Sequence, residues 1–180
     1  MNTMRRRTFL NTAGKGLAAG FAAPAIFSSC SNYNGKILVG HIGVGSMGSG
    51  VLKGWLMPVT DALNVATCDP FEKRRNAAAQ FVNKAYKESE IKAPECRAYL
   101  DFEELLERKD IDAVAITTPD HWHVPAAIKA ARAGKHILLA KPLGLSYPNF
   151  KILEKEVKAN GVTFHYGTQQ RAQEHMKVAV

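Results

Sequence analysis

The stretch from Ile37 to Trp55 limits what this chain can fold into more than any other part of it. The apolar-rich run Ile37–Ile42 passes without a spacer into Gly43-Val44-Gly45-Ser46-Met47-Gly48, and a helical pattern near Ser46–Trp55 follows. Three glycines at this spacing between a strand and a helix each meet a separate demand. Gly43 permits a tight turn, Gly45 lets the backbone come close to a bound group, and Gly48 lets helix and strand pack against each other. The helix N-terminus then offers unpaired N–H groups, a setting that favours an anion.

The rest of the chain repeats this alternation. Apolar runs predict strands at Ile37–Ile42, Ala62–Cys68, Ala113–Thr117, His136–Ala140 and Val162–Tyr166, with a short one near Arg97–Tyr99. Helical patterns fall near Ser46–Trp55, Pro70–Lys87, Phe102–Glu107, Val124–Ala133 and Tyr147–Asn160. Asp69 with Glu72 and Asp101 with Glu104 have capping-box spacing, and Gly134 and Gly161 follow helix ends. Tyr147, Phe150, Leu153 and Val157 share one face of the last helix, which should therefore pack on the sheet. Strands alternating with helices give a parallel sheet with crossover connections, and right-handed crossovers make it doubly wound, a Rossmann-type α/β fold. His41, inside the first strand, reads as structural.

In such a sheet the ligand lies beyond the carboxyl ends of the strands, and the glycine turn stands there. An acid at the end of the second strand, Asp69, answers it 26 residues after Gly43. Together they read as a dinucleotide site, with the pyrophosphate on the turn at Gly45, Ser46 and Met47 and the adenosine ribose on Asp69. The competing reading makes Asp69 only the cap of the helix that starts at Pro70. A carboxylate here repels a 2′-phosphate and favours NAD over NADP. Arg74 and Arg75 lie near enough in sequence to soften that preference, so NADP is also admitted.

The first thirty residues read as an address. Met1 to Arg7 is positively charged, and the apolar stretch Ala13 to Phe27 is shorter than the roughly 18 residues a membrane span needs. Ala23-Pro24-Ala25 offers a small-x-small cleavage site, and Arg6-Arg7 with Phe9-Leu10 is similar to a twin-arginine export signal. A second ending competes: Phe27-Ser28-Ser29-Cys30 resembles a loose lipobox that would make Cys30 a lipid anchor in an exported, periplasmic or membrane-anchored protein. The organisation expected is a signal over 1–30, a linker over 31–35, a dinucleotide-binding domain over 36–171, and the start of a further part over 172–180.

The formal charge of +8 raises the question of nucleic acid. Arg5, Arg6, Arg7 and Lys15 all belong to the address, and beyond it 20 basic residues face 16 acidic ones. They are interleaved, as in Lys151-Ile-Leu-Glu-Lys-Glu-Val-Lys158, instead of forming the dense stripe that binds a phosphate backbone. No nucleic-acid partner is expected. Of the three cysteines, Cys68 and Cys96 are expected to be free thiols. His121 and His123 lack an evident third ligand, so no metal site is expected.

Three further motifs stand at strand ends: Thr117-Thr118-Pro119-Asp120-His121-Trp122-His123, then Gly134-Lys135-His136 through Ala140-Lys141-Pro142-Leu143, then Gly167-Thr168-Gln169-Gln170-Arg171. With the glycine turn and Asp69, this series resembles the Gfo/Idh/MocA family over residues 36 to 171. The resemblance implies an NAD(P)-dependent oxidoreductase acting by hydride transfer on a sugar or polyol. It puts Thr118, Pro119, His123, Gln169 and Arg171 at the cofactor. It makes Lys141 both a cofactor contact and the catalytic lysine of a Glu-Lys-Pro motif. Ala140 stands where that motif has Glu, so Lys141 lacks its acidic neighbour. Trp122 reads as core packing. The resemblance also places the proton acceptor in a C-terminal α/β domain absent from this chain, through which the family forms homo-oligomers. A branch of the family that uses NAD transiently to cleave glycosidic bonds is one alternative, and a non-catalytic cofactor-binding module is another.

Overall fold

The structure, a computed structural model, describes residues 35–168. The export-signal and Cys30 readings, Gln169, Arg171 and the segment 172–180 lie outside the described residues. Six strands form one sheet: β1 (Ile37–Ile42), β2 (Ala62–Cys68), β3 (Arg97–Tyr99), β4 (Ala113–Ile116), β5 (His136–Ala140) and β6 (Phe164–Gly167). Their order is β3-β2-β1-β4-β5-β6, and every neighbouring pair is parallel. This is the doubly wound sheet that the sequence predicts. The helices are α1 (Ser46–Val51), α2 (Glu72–Glu88), α3 (Phe102–Glu107), α4 (Asp120–Arg132) and α5 (Tyr147–Ala159). A π-helical turn, Leu52–Leu56, continues α1.

The central strands read as continuous apolar runs because helices cover both faces of the sheet. Five of the six residues of β1 are buried. His41 is the polar exception, fully buried with its Nε2 2.7 Å from Asn64 Oδ1 on β2. Burial pushes its pKa down to about 4 against the opposing pull of that hydrogen bond, so the ring is neutral and structural, as its place in a strand suggests. Helix α2 buries Ala78, Ala79, Val82 and Tyr86 as one stripe. The register of β1 on β2 shifts between Val39 and Gly40, and beside that irregularity the Tyr86 hydroxyl accepts the Asn64 N–H at 2.7 Å. Cys68 and Cys96 are buried free thiols, each pushed up to about 12 chiefly by burial.

Several boundaries differ from expectation. Helix α4 starts at Asp120, four residues before the predicted Val124, and carries Pro125 inside it. The Trp122 N–H donates to Pro119 O at 2.8 Å and closes the first turn across a polar stretch in which apolar periodicity finds no helix. Asp101 caps α3 by accepting from Glu103 N at 2.8 Å. Asp69 does not form the expected capping box: α2 starts at Glu72 behind Phe71, which makes no side-chain cap bond. In α5, Leu153 reaches the core and Val157 packs against it, but Tyr147 is 73% exposed and Phe150 is half-buried beside the Tyr147 ring, so the predicted face meets the core through its last two members.

Candidate functional site

The strand order reverses between β1 and β4, so the crossovers leaving their carboxyl ends run to opposite sides and leave a crevice. A cavity of ≈ 760 Å³ opens there, within the range of small-molecule sites. Its base is the glycine turn. Gly43 has φ 87°, and a Cβ on it would lie 2.8 Å from the Thr117 carbonyl. A Cβ on Gly48 would lie 2.1 Å from Gly43 O and 2.6 Å from Thr117 Oγ1, which itself donates to Gly43 O at 2.5 Å. These two glycines hold β1, α1 and the end of β4 together. Gly45 differs: the one atom near its missing Cβ is Arg74 Nη1 at 3.7 Å, and the residue lines the cavity. Its bare backbone faces open space.

Asp69 joins the turn to β2. Its side chain is buried, with Oδ2 accepting the Val44 N–H at 3.0 Å and Oδ1 the Phe71 N–H at 2.9 Å. Each oxygen keeps lone-pair capacity for a further donor such as a ribose hydroxyl. The two readings of Asp69 are therefore not exclusive, and the structural one takes a different form: the carboxylate anchors the glycine turn instead of capping α2.

The far end of the cavity is apolar. Phe71 is 60% exposed, Leu100 62% and Trp122 46%, and Trp122 meets Phe102 edge-on with ring centroids 6.2 Å apart. Trp122 is thus a wall of the cavity and not part of the core, a correction to the sequence reading. Phe71, Leu100 and Phe102 escaped that reading, although an apolar residue just past the end of a strand, where the core pattern has stopped, is a usable signal. Arg74 lies over the Phe71 ring at 4.4 Å and lines the cavity. Arg75 is held instead by the main chain, donating to Pro70 O at 3.2 Å and Asp69 O at 3.4 Å.

Of the residues singled out in the sequence, Gly43, Gly45, Ser46, Met47, Asp69, Thr118 and Pro119 share the cavity lining. Thr118 contributes a buried hydroxyl without a partner among the described residues. Gly48 packs beneath the turn. His121 lines the cavity, but His123 is buried and bonded through Nδ1 to Pro142 O at 2.6 Å, so the two imidazoles do different things. Lys141 is exposed, follows β5 directly and lies outside the lining. Ala140 is buried and pairs in register with Gly167 of β6.

A glycine turn with open backbone, helix N–H groups beside it, a buried acid and an aromatic slot together fit a long anionic cofactor with an aromatic end. The sheet and this cavity define a dinucleotide-binding Rossmann domain. The family model described as "Oxidoreductase family, NAD-binding Rossmann fold" matches residues 37–168. The chain belongs to that family, Gfo/Idh/MocA, and its cofactor is NAD or NADP. A glycosyl hydrolase family 109 protein of Saccharopolyspora erythraea is 34% identical over 164 residues, covering 79% of this chain and 34% of its own length. An alpha-N-acetylgalactosaminidase of Shewanella oneidensis is 32% identical, covering 81% of this chain and 35% of its own. The crystal structure of a putative myo-inositol dehydrogenase from Sinorhizobium meliloti superposes with a TM-score of 0.64 at 29% identity, covering 79% of this chain and 39% of that one. The chain therefore spans about a third of the length of the curated relatives it matches.

Proposed function

We propose that this chain is the cofactor-binding part of an exported NAD(P)-dependent oxidoreductase that acts on a sugar, polyol or related carbohydrate. The observation that carries the reading is the open backbone of Gly45 on a cavity that is polar at the glycine turn and apolar at Phe71 and Trp122. The amides of Gly45, Ser46 and Met47 would hold the pyrophosphate, Asp69 the adenosine ribose, and Phe71 with Trp122 the adenine. Thr118 and Pro119 would line the same cleft, with Gln169 and Arg171 on the nicotinamide side, while His123, buried against Pro142, stands outside the cavity lining. When bound, the nicotinamide accepts or returns a hydride. Lys141, exposed next to the strand end, would hydrogen-bond the substrate hydroxyl and stabilise negative charge on its oxygen. In the whole protein we assign the proton acceptor, the remaining substrate contacts and the homo-oligomer contact to a C-terminal α/β domain. Residues 1–30 would direct export, either with cleavage after Ala25 or with Cys30 lipidated.

A second reading, NAD-dependent glycosidic bond cleavage, draws on the family 109 and alpha-N-acetylgalactosaminidase names of the relatives at 34% and 32% identity. There a sugar carbon is oxidised, the neighbouring C–H loses its proton, the glycosidic bond breaks by elimination, and the hydride returns. Full-length protein incubated with NAD and a panel of free sugars, polyols and aryl glycosides separates the readings. Growth of reduced-nicotinamide absorbance with a free sugar or polyol supports the dehydrogenase. Release of the aryl group without net reduced cofactor supports the glycosidase. Neither signal, and no exchange of label between a deuterated sugar and the cofactor, rejects both in favour of a non-catalytic module.

A further inference from the structure

Helix α4 begins between two things that the proposed chemistry needs together. One side of its first turns, through His121, Trp122 and Ala126, lines the cofactor cavity. The residues between these, His123 and Val124, are buried and face the segment that follows β5. His123 Nδ1 lies 2.6 Å from Pro142 O. A carbonyl oxygen only accepts, so Nδ1 carries the hydrogen and donates it to Pro142 O. The ring's Nε2 is buried and has no partner among the described residues. Two residues on, Gly144 has φ 146°, and a Cβ there would lie 2.6 Å from Val124 Cγ2, so this backbone also rests directly on α4. Leu143, between the two contacts, packs against the core.

We infer that His123 is a positioning residue for Lys141, fixing the main chain one residue beyond the lysine to the helix that walls the cofactor cavity. The inference rests on the assignment of Lys141 above, and it gives His123 a task other than touching the cofactor. Lys141 is exposed and has no acid at position 140, so the only direction its main chain receives comes from the residues around it. Pro142 fixes its own φ through its ring, and His123 fixes its carbonyl. The Pro142 carbonyl needs a donor at the place of Nδ1. An Asn side chain carries its amide nitrogen at nearly that distance from the backbone, whereas Leu fills much of the ring volume and carries no donor.

The test uses full-length protein without cofactor. Nitrogen-15 NMR of wild type should find a hydrogen on His123 Nδ1; a ring whose Nδ1 carries none overturns the inference. In His123→Leu, hydrogen exchange of the Leu143–Ser146 amides should quicken about fivefold to tenfold, the effect of one lost hydrogen bond on local opening. Exchange in β1 and β4 and the NAD dissociation constant should stay within about twofold, and His123→Asn should restore the wild-type rate. Unchanged exchange in the Leu variant, uniform quickening across the sheet, or failure of Asn to restore the rate each overturns it. Once a turned-over sugar is in hand, the Leu variant should lose kcat at least tenfold with the KM for NAD unchanged, and Asn should recover most of it. If wild type turns over no sugar, the proposed function fails, while the exchange and NMR results still decide whether the tether exists.

Discussion

Gly45→Ala and Gly48→Ala add the same methyl group three residues apart and should have opposite effects. A Cβ at position 48 meets Gly43 O at 2.1 Å and Thr117 Oγ1 at 2.6 Å. Relieving such contacts requires α1 to move on the order of 1 Å away from the turn. Overpacking of this kind costs about 1 to 3 kcal/mol, and loss of the Thr117 to Gly43 hydrogen bond adds about 1. The better helix propensity of Ala returns a little under 1 kcal/mol. The net loss is about 1 to 3 kcal/mol, which lowers Tm by roughly 3 to 10 °C for a domain of this size. At position 45 the backbone has φ −66° and the new methyl meets only Arg74 Nη1 at 3.7 Å, so the fold has room for it. The gain from a stiffer unfolded chain and the loss of a good helix N-cap residue roughly cancel, leaving stability within about 0.5 kcal/mol. The methyl instead projects toward the cavity and keeps a pyrophosphate off the turn amides. Losing even one charge-assisted hydrogen bond of about 1.5 to 3 kcal/mol weakens NAD at least tenfold. Thermal melts and NAD titrations of both variants should give a destabilised Gly48→Ala and a stable Gly45→Ala that binds poorly. A Gly45→Ala protein that binds as wild type, or a Gly48→Ala protein that melts with it, refutes this division of roles.

Other perturbations follow from the same contacts. His41 has its folded pKa depressed to about 4 from 6.5, so its contribution is present above about pH 6.5 and is lost as pH falls toward 4. The loss amounts to about 3 kcal/mol, and the urea midpoint of wild type should drop between pH 7 and 4 more steeply than that of His41→Phe; parallel curves contradict the burial argument. Asp69→Asn replaces an acceptor-only group between the Val44 and Phe71 amides, so it should cost about 1.5 to 3 kcal/mol in unfolding and shift the NAD to NADP affinity ratio toward NADP. An unchanged ratio speaks against Asp69 lying near the 2′ position. Trp122→Ala should weaken ADP-ribose about fivefold or more while leaving Tm nearly unchanged, because the ring is 46% exposed; a large Tm loss would return Trp122 to the core.

Much of this was legible in the chain because the sheet is covered on both faces. The central strands therefore announce themselves as short apolar runs, and β1, β2 and β5 fall where those runs stand, whereas the edge strands β3 and β6 are more polar and more exposed. Helices whose ends depend on local bonds were harder. The start of α4, Asp120-His121-Trp122-His123, has no apolar period, and the proline that follows masks it further. The glycines were legible in kind, since the demands of the turn are steric and local. Asp69 was legible as a site residue but not as the anchor of Val44, because that bond joins residues 25 apart through the fold. Trp122 shows the same limit. An aromatic residue in the sequence suggests a core, and only the divergence of the connections that leave β1 and β4 turns this one toward a cavity.

The claim on which everything else depends is that the turn over residues 43–48 holds a pyrophosphate with the adenosine toward Phe71 and Trp122. Calorimetric titration of the protein with NAD and, separately, with ADP-ribose tests it most directly. The account predicts saturable one-to-one binding of both, competing for one site and lost together in Gly45→Ala. Folded protein that takes up neither ligand, or binds both unaltered in Gly45→Ala, contradicts it.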